Sequence, residues 1–441
     1  MGKFIRITAS PPLYVRSKLL CFSLLYLFTT LSLFLYVSLS RNQCVFRYSP
    51  FDPIQTNIFS YPSSYGEHKY ALPTHRSSCS SPVFFSDYWT VLNEIQSICS
   101  DASSSEKLRY INGKSETFGG NFSTQKRFSY FNHSDNDVEV PCGFFRDFPV
   151  SDSDRAEMEK CGLVVASAIF NDHDKIRQPV GLGVKTLETV CFYMFIDDKT
   201  LNSLPPQFGV WRIIKISKSD NLYINPAMNG VIPKYLIHRL FPNSKFSIWI
   251  DAKIQLMIDP LLLIHSMLVV PDVDMAISKH PFLWKKWGDV DGLRMQMETY
   301  CEHGLKPWSS HKMPYPTDVP DSALILRKHG IRSDLFSCFM FNELEAFNPR
   351  DQLAFAFVRD HINPMVKMNM FEVEVFEQIV VEYRHNLKKI ETSSFEEEEE
   401  EQKQKSLRII QKKRRWLDHE SWSLNGSSCK SYLMEMWDDH H

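Results

Sequence analysis

The chain has 441 residues, a length suited to one large or two medium-sized domains with shorter flanking segments. Its 50 basic and 52 acidic residues leave a net charge of −2, and this balance argues against a nucleic-acid partner, which requires a basic excess. The 43% hydrophobic and 23% charged residues are typical of a folded globular protein, not of a disordered one.

The first predicted element is an uncharged apolar run at residues 19–39. As a helix, its 21 residues would extend about 31 Å, close to the thickness of a bilayer's hydrocarbon core. Four basic residues and no acidic residue precede the run, so the positive-inside rule predicts residues 1–18 as the cytoplasmic tail of a single-pass type II membrane protein. The alternative is a cleaved signal peptide, although the run is longer than a usual signal-peptide core.

Residues 40–141 are predicted as a lumenal stem, because they are rich in Ser, Tyr, Asn and Pro and show little periodicity. Glycosylation tripeptides at Asn121, Asn132 and Asn425 agree with a lumenal location. Ten cysteines are present, one of them, Cys21, inside the apolar run. We expect the others to form several disulfides, with at least one thiol left over or paired between chains.

The pattern from residue 142 to residue 389 predicts an α/β domain with a mostly parallel sheet flanked by helices, because short apolar strands alternate with helical segments. The predicted strands are Leu163–Ile169, 190–196, 211–216, Phe246–Ile250, 275–278 and 323–326. The predicted helices include 232–240 and 260–269. Residues 390–441 are predicted as a charged tail, with six consecutive glutamates followed by a basic tract.

Asp251 directly follows the strand Phe246–Ile250, within FSIWIDAKIQL. Ligands of open α/β sheets bind beyond the carboxyl ends of the strands. Glycosyltransferases that bind a nucleotide sugar place an Asp-x-Asp there, whose carboxylates hold a divalent ion that neutralises the diphosphate. Here the third residue is Lys253, which could itself offset that charge, so a metal site at Asp251 and a metal-free site both stay open. A turn cap or a simple Asp251–Lys253 ion pair is the structural alternative.

Four further polar residues are candidates for the same site. Asp197 and Asp198 end the predicted strand 190–196 and could bind substrate. Lys234 and His238 are four residues apart, so we expect them to share one face of the helix 232–240. Lys234 could attract a phosphate and His238 could act as a base or ligand, although a lone histidine on a helix is more often structural.

His280 follows the predicted strand 275–278, and Asp351 opens a predicted helix over 352–359. Both are candidate catalytic residues, although Asp351 would also favour the helix dipole without any further role. The motifs HExxH, GxSxG and GxxxxGK[ST] are absent from the sequence. A zincin protease, an α/β-hydrolase with a nucleophile elbow and a P-loop nucleotidase are therefore unsupported.

Seven stretches together resemble one plant family that was long a domain of unknown function and has a glycosyltransferase-like core. They are Cys142-Gly-Phe-Phe, 163–174, 191–198, 229–242, FSIWIDAKIQL, Ser278-Lys-His-Pro and Arg350-Asp-Gln. One branch of that family holds probable hexosyltransferases linked to seed mucilage polysaccharide. The other is a turgor-regulating alkaline ceramidase of the Golgi membrane, and the stretches SKLLCFSLLYLF and SSYGEHKYALPTHRSSCSSP resemble this branch.

The resemblance implies a glycosyltransferase-A-like fold and a location in the Golgi membrane. It implies first the hydrolysis of ceramide, a membrane lipid, to sphingosine and fatty acid. Hexosyl transfer from a nucleotide sugar to a wall or mucilage glycan acceptor is the second expectation, and a non-catalytic lipid- or carbohydrate-binding role is the third. For a cofactor, the residues leave two alternatives open: a divalent metal, Ca²⁺ or Mn²⁺, at Asp251, or a site without a metal.

Overall fold

The computed structural model describes residues 18–40, 43–47, 79, 81–101, 107–133, 139–204, 208–217, 222–280, 290–383, 385 and 429. The glycosylation site predicted at Asn425, the glutamate run and the residues before Lys18, predicted as part of a cytoplasmic tail, lie outside these ranges. Asn121 and Asn132 lie within them, and both side chains are exposed.

The strands and helices of the described residues follow one another in the order expected for an α/β protein. The strands are β1 (Val45–Arg47), β2 (Val83–Phe85), β3 (Leu163–Ile169), β4 (Val190–Asp197), β5 (Arg212–Ile216), β6 (Phe246–Ile250), β7 (Ile254–Leu256), β8 (Met275–Lys279), β9 (Pro320–Lys328), β10 (Met368–Phe371) and β11 (Val380–Glu382). The helices are α1 (Lys18–Ser40), α2 (Tyr88–Ser100), α3 (Thr124–Ser129), α4 (Asp152–Met158), α5 (Thr186–Thr189), α6 (Asp198–Ser203), α7 (Pro226–Tyr235), α8 (Ile237–Leu240), α9 (Pro260–Ile264), α10 (Val290–Glu302), α11 (Ile331–Ala346), α12 (Asp351–His361) and α13 (Val373–Ile379).

Seven strands form the central sheet, in the order β10-β8-β9-β6-β3-β4-β5. All neighbouring pairs are parallel except those of β9, which is antiparallel to both β6 and β8. The predicted mixed α/β fold with a mostly parallel sheet is therefore confirmed. In a separate antiparallel pair, β7, which directly follows β6 in the chain, pairs with β11.

Both faces of the sheet are covered by apolar layers, which explains why its strands read as continuous hydrophobic runs. Successive residues of β3 alternate between the two layers: Val164 and Ala166 pack with the α7, α11 and α12 side, and Leu163 and Val165 with the α2, α9 and α13 side. This period of two is the pleat of a strand buried on both faces.

The N-terminal helix α1 has 23 residues, and its described large apolar side chains are exposed. The side chains of α1 that the structure describes are those of Lys18 and residues 20–33. Among the described residues, no helix combines the length and the apolar character needed to cross a membrane. Within the predicted stem, β1, β2 and α2 contribute buried side chains to the layer beside α9.

Disulfides join four pairs of cysteines, and all ten cysteines lie among the described residues. The pairs are Cys44–Cys79, Cys142–Cys338, Cys161–Cys191 and Cys301–Cys429. Cys21 and Cys99 remain as thiols. The expectation of several disulfides with a thiol left over is therefore confirmed.

Two predicted elements differ from the structure in ways that affect the site. The predicted helix 232–240 is two helices, because Leu236 leaves the helical region at φ −100° and ψ 24°. Lys234 and His238 therefore do not share a helix face. The strand predicted at 323–326 begins at Pro320 and so includes Asp321. The helix predicted at 260–269 is confirmed over that range, with residues 265–269 continuing α9 as a π-helical turn.

Candidate functional site

One edge of the central sheet collects most of the predicted site residues. The parallel strands β3, β4, β6, β8 and β10 all end at this edge, and the antiparallel strand β9 begins there. We call it the carboxyl edge. A residue that follows β6 is thus placed beside residues that open β9, although the two lie about 70 positions apart in the chain.

Asp251 lies at the tip of β6, and 31% of its side chain is exposed. Its Oδ1 atom accepts a hydrogen bond of 2.7 Å from the indole Nε1 of Trp249 and lies 3.5 Å from the Nζ of Lys234. Its backbone N–H donates to the carbonyl of Ala323 in β9. The carboxylate is therefore held in one orientation while one side of it faces solvent.

Lys234 connects Asp251 to a second, buried carboxylate. Its Nζ lies 3.0 Å from Oδ2 of Asp351, whose side chain is 9% exposed, and 3.0 Å from Oγ of Ser322. Asp351 also accepts hydrogen bonds from the hydroxyls of Tyr235, at 2.9 Å, and Ser322. The structure thus brings together Asp251, Lys234 and Asp351, three of the residues predicted for the site.

The buried part of this cluster keeps its charges. Burial by itself raises the pKa of Asp351, but the Lys234 ammonium and the hydrogen bonds from Ser322, Lys234 and Tyr235 outweigh it, so the pKa is lowered. Burial by itself lowers the pKa of Lys234, but the carboxylates of Asp251 and Asp351 outweigh it, so this pKa is raised. The two shifts agree on an ionised pair.

Lys253, the third residue of the Asp-x-Lys motif, lies on the exposed side of the cluster. Its Nζ is 2.9 Å from Oε1 of Glu382 in β11, and a quarter of its side chain is exposed. Burial lowers its pKa, but Asp251, Glu382 and Asp321 together raise the pKa above the ordinary value. Lys253 therefore remains a cation over the neutral and moderately alkaline range.

Asp321 belongs to the site although sequence reasoning missed it. Burial raises its pKa, and Asp251 adds to this, while Lys253, the N–H of Ala323 and His280 act in the opposite direction. The register of β8 with β9 shifts between Ile277 and Ser278, so that Ser278 pairs with Asp321. This bulge aims the first residues of β9 at the carboxyl edge, as bulges beside active sites often do. The signal was hidden because the predicted strand began at Ala323.

His280 also lies at this edge, directly after β8. Its backbone N–H donates to the carbonyl of Val319, and its side chain is half-buried. The structure therefore places His280 at the carboxyl edge, close enough to Asp321 to act against the raised pKa of that carboxyl.

Asp197 and Asp198 lie at the same edge but are engaged locally. Asp197 caps α6: it accepts hydrogen bonds from the backbone N–H and the hydroxyl of Thr200, and from the N–H of Asn171. Asp198 is half-buried and pairs with Lys215 at 2.7 Å. Neither contacts Asp251 or Lys234 within the described part of the chain.

His238 is separated from the cluster and lies at the opposite edge of the sheet. Its side chain borders a cavity of about 120 Å³ lined by residues that precede β6 and follow β9, among them Arg239, His329 and Asp334. His238 is 5% exposed, and neither ring nitrogen has a hydrogen-bond partner among the described residues. Burial lowers its pKa to about 3, so the ring is neutral.

The donor set at Asp251 does not fit the expected divalent metal. Among the described residues, no group of three or more His, Cys, Asp or Glu side chains is arranged to hold a metal ion. Oδ1 of Asp251 already accepts the Trp249 indole hydrogen and faces the Lys234 ammonium. Lys253 occupies the position at which an Asp-x-Asp motif would supply its second carboxylate.

Comparison with known proteins places the chain in a family. Residues 102–385 match the family described as "TOD1/MUCI70, glycosyltransferase-like domain", and the chain belongs to it. It is 83% identical to the Arabidopsis thaliana protein named alkaline ceramidase TOD1, over 99% of this chain and 100% of that protein. It is 35% identical to the probable hexosyltransferase MUCI70 of Arabidopsis thaliana, over 56% of this chain and 46% of that protein. The family resemblance read from the sequence is thus confirmed.

Two solved glycosyltransferase structures match part of the chain at low overall similarity. Mouse xyloside xylosyltransferase 1 in its apo form superposes with a TM-score of 0.28 at 10% identity, over 48% of this chain and 84% of that one. The bifunctional glycosyltransferase WbbM gives a TM-score of 0.26 at 10% identity, over 48% of this chain and 39% of that one.

Proposed function

We propose that the protein hydrolyses the amide bond of ceramide to sphingosine and a fatty acid. The observation that carries this proposal is the 83% identity, over nearly the whole of both chains, to the relative named alkaline ceramidase. At this identity over nearly the whole of both chains, the two proteins share a fold. The carboxyl-edge cluster is the site that we assign to the reaction.

Amide hydrolysis needs a base for water and a positive group for the oxyanion. In the proposed reaction, the half-exposed carboxylate of Asp251 takes a proton from water as the water oxygen attacks the amide carbon. The ammonium of Lys253 stabilises the oxyanion that forms. The C–N bond then breaks as the proton held by Asp251 passes to the leaving nitrogen, which releases sphingosine and the fatty acid. Because the pKa of Lys253 is raised, this positive group persists at alkaline pH.

We also propose that the chain is a single-pass type II protein of the Golgi membrane, with the sheet in the lumen. The proposal is supported by the sequence, in which an uncharged apolar run of 21 residues at 19–39 follows four basic residues. The four disulfides support it as well, because such bonds persist in the oxidising secretory pathway. An anchored enzyme would remain at the surface in which its lipid substrate resides.

The test is ceramide hydrolysis by the purified full-length chain at alkaline pH, with Asp251→Asn as the variant. Loss of the base should lower the rate of sphingosine release by about a hundredfold or more. Asp272→Asn is the matched control, because Asp272 is a highly exposed carboxylate that pairs with Lys328 and Lys367 away from the carboxyl edge. Absence of sphingosine release by the unaltered chain under every metal condition would refute the proposal, and equal rates in both variants would refute the role of Asp251.

Hexosyl transfer is the second candidate function, favoured by the family's glycosyltransferase-like domain and by the 35% identical relative named a probable hexosyltransferase. A glycosyltransferase-A-like arrangement would place a nucleotide sugar at the carboxyl edge and a glycan acceptor beside it. This function predicts a calorimetric signal with a UDP- or GDP-sugar that disappears in Asp251→Ala. If neither this signal nor sphingosine appears, and Asp251→Ala leaves cellular function intact, a non-catalytic binding role gains support.

A further inference from the structure

Lys253 lies at the carboxyl edge, at the position where a metal-dependent site would bind its metal ion. We infer that this site works without a bound divalent cation and that the Lys253 ammonium is the catalytic group that holds the anionic oxygen of the reacting substrate, while Lys234 is a positioning residue for Asp251. The inference rests on the proposed assignment of the carboxyl edge as the active site. It assigns to the two lysines different roles that can be tested separately.

The carboxylates at the carboxyl edge are poor ligands for a divalent cation. Oδ1 of Asp251 is occupied by the Trp249 indole hydrogen at 2.7 Å, and the Lys234 ammonium lies 3.5 Å away. Asp351 is buried beneath Lys234 and accepts three hydrogen bonds from Lys234, Tyr235 and Ser322. Asp321, whose pKa is raised by burial, holds its proton more readily than an ordinary aspartate. A cation would have to displace lysine ammonium groups to reach these oxygens.

The two lysines differ in how many donors they have left. An ammonium group has three N–H donors. Those of Lys234 face Asp251, Asp351 and Ser322, so none is left for a substrate. Among the described residues, one donor of Lys253 faces Glu382, at 2.9 Å. Lys253 is also the more exposed of the two, at 25% against 11%.

The backbone fixes Lys253 in place. Its carbonyl accepts a hydrogen bond of 2.8 Å from the N–H of Tyr383, and the neighbouring Ile254 pairs with Glu382 in the β7–β11 ladder. The same ladder therefore positions the lysine and its carboxylate partner. A preorganised cation of this kind stabilises developing negative charge without reorganisation during the reaction.

The first experiment measures metal binding and metal dependence on the full-length chain. After dialysis against EDTA, titration with Mn²⁺ and with Ca²⁺ by calorimetry should give no saturable signal at submillimolar concentration, and ceramide hydrolysis should continue at the rate measured before dialysis. Saturable binding that is lost in Asp251→Asn, or activity that EDTA abolishes and either ion restores, would overturn the inference. The binding arm gives a result even if the chain does not hydrolyse ceramide, so failure of the proposed function is distinguishable.

The second experiment compares Lys253→Met with Lys253→Arg. The methionine variant should lose about 10²–10³-fold in the rate constant of hydrolysis, the effect of removing one oxyanion donor, with little change in KM. The arginine variant should recover part of that loss. Lys160→Met is the control, because Lys160 is 68% exposed and pairs only with Glu157 on α4 among the described contacts. A methionine variant that is folded and as active as the control would overturn the role of Lys253.

Discussion

At the carboxyl edge of the central sheet, buried ionisable groups face one another, whereas at the opposite edge the buried His238 faces a cavity. Lys234 and Asp351 are both charged because each provides the opposite charge that offsets the other's burial. His238 has no hydrogen-bond partner for either ring nitrogen among the described residues and stays neutral. The comparison shows that burial alone does not decide the charge of a group; its partners do.

The two regions should therefore respond differently when one group is removed. Breaking a buried ion pair leaves the other charge without compensation, which is expensive in a poorly hydrated interior. Removing a neutral, unpaired ring removes a polar group that burial already penalises. Three predictions test this contrast.

The largest effect is expected for Asp351→Ala. This change leaves the buried Lys234 ammonium without its 3.0 Å partner and leaves the Tyr235 hydroxyl without an acceptor. We expect the free energy of unfolding to fall by about 3–5 kcal/mol, the usual effect of breaking a buried pair. Urea unfolding of the full-length variant measures it. The double variant Lys234→Met with Asp351→Ala is the control, and it should recover part of the lost stability. If the free energy of unfolding of Asp351→Ala stays within about 1 kcal/mol of that of the unaltered chain, the pair does not stabilise the fold.

How much of this site could be predicted depends on whether a residue's role is local. The strand Phe246–Ile250 and the aspartate after it follow from a short apolar run and its end, so both were predictable. The contact of Lys234 with Asp351 joins α7 to α12, and no local pattern reports it. Asp351 was a candidate only because it opens a helix, which is also a sufficient reason for an aspartate there.

Two misjudged residues show what a sequence pattern leaves out. His238 was assigned to the face of Lys234 because the pattern is helical from Ile232 to Leu240, but the break at Leu236 turns it toward the other edge. Asp321 was missed because the predicted strand began at Ala323, and because an antiparallel strand brings its beginning, not its end, to the carboxyl edge. Strand direction is a property of the whole sheet and is set by pairings distant in the sequence.

The second prediction concerns pH. The folded-state pKa of Asp351 is lowered, so its stabilisation is present above its unfolded value, about 4, and is lost as the pH falls through the folded value. The folded-state pKa of Lys234 is raised, so the stabilisation that Lys234 contributes is present below its unfolded pKa, about 10, and is lost as the pH rises through its folded pKa. The pair should therefore contribute a constant amount between about pH 5 and 9.

The contribution of His238 to stability should change with pH within that range. Its pKa is about 3 in the folded state against about 6.5 when unfolded. The unfolded chain therefore binds more protons below pH 6.5, and the folded state loses up to about 1.4 kcal/mol per pH unit from this group. In urea unfolding between pH 6.5 and 4.5, the free energy of unfolding of His238→Leu should fall less steeply with pH than that of the unaltered chain. Asp351→Asn should show the same slope as the unaltered chain. Equal slopes in the unaltered chain and in His238→Leu would contradict the assignment.

The smallest effect is expected for His238→Leu at pH 7.5. The leucine side chain is similar in volume to the ring and brings no polar atom to the cavity, so the free energy of unfolding should stay the same or rise by up to about 1 kcal/mol. Asp334 and His329 keep their 3.2 Å contact without the ring, which limits the change to one residue. Thermal unfolding of the full-length chain, with Asp272→Asn as the control, measures the shift. A loss of more than about 2 kcal/mol would contradict this expectation, and the contrast between the two edges would fail.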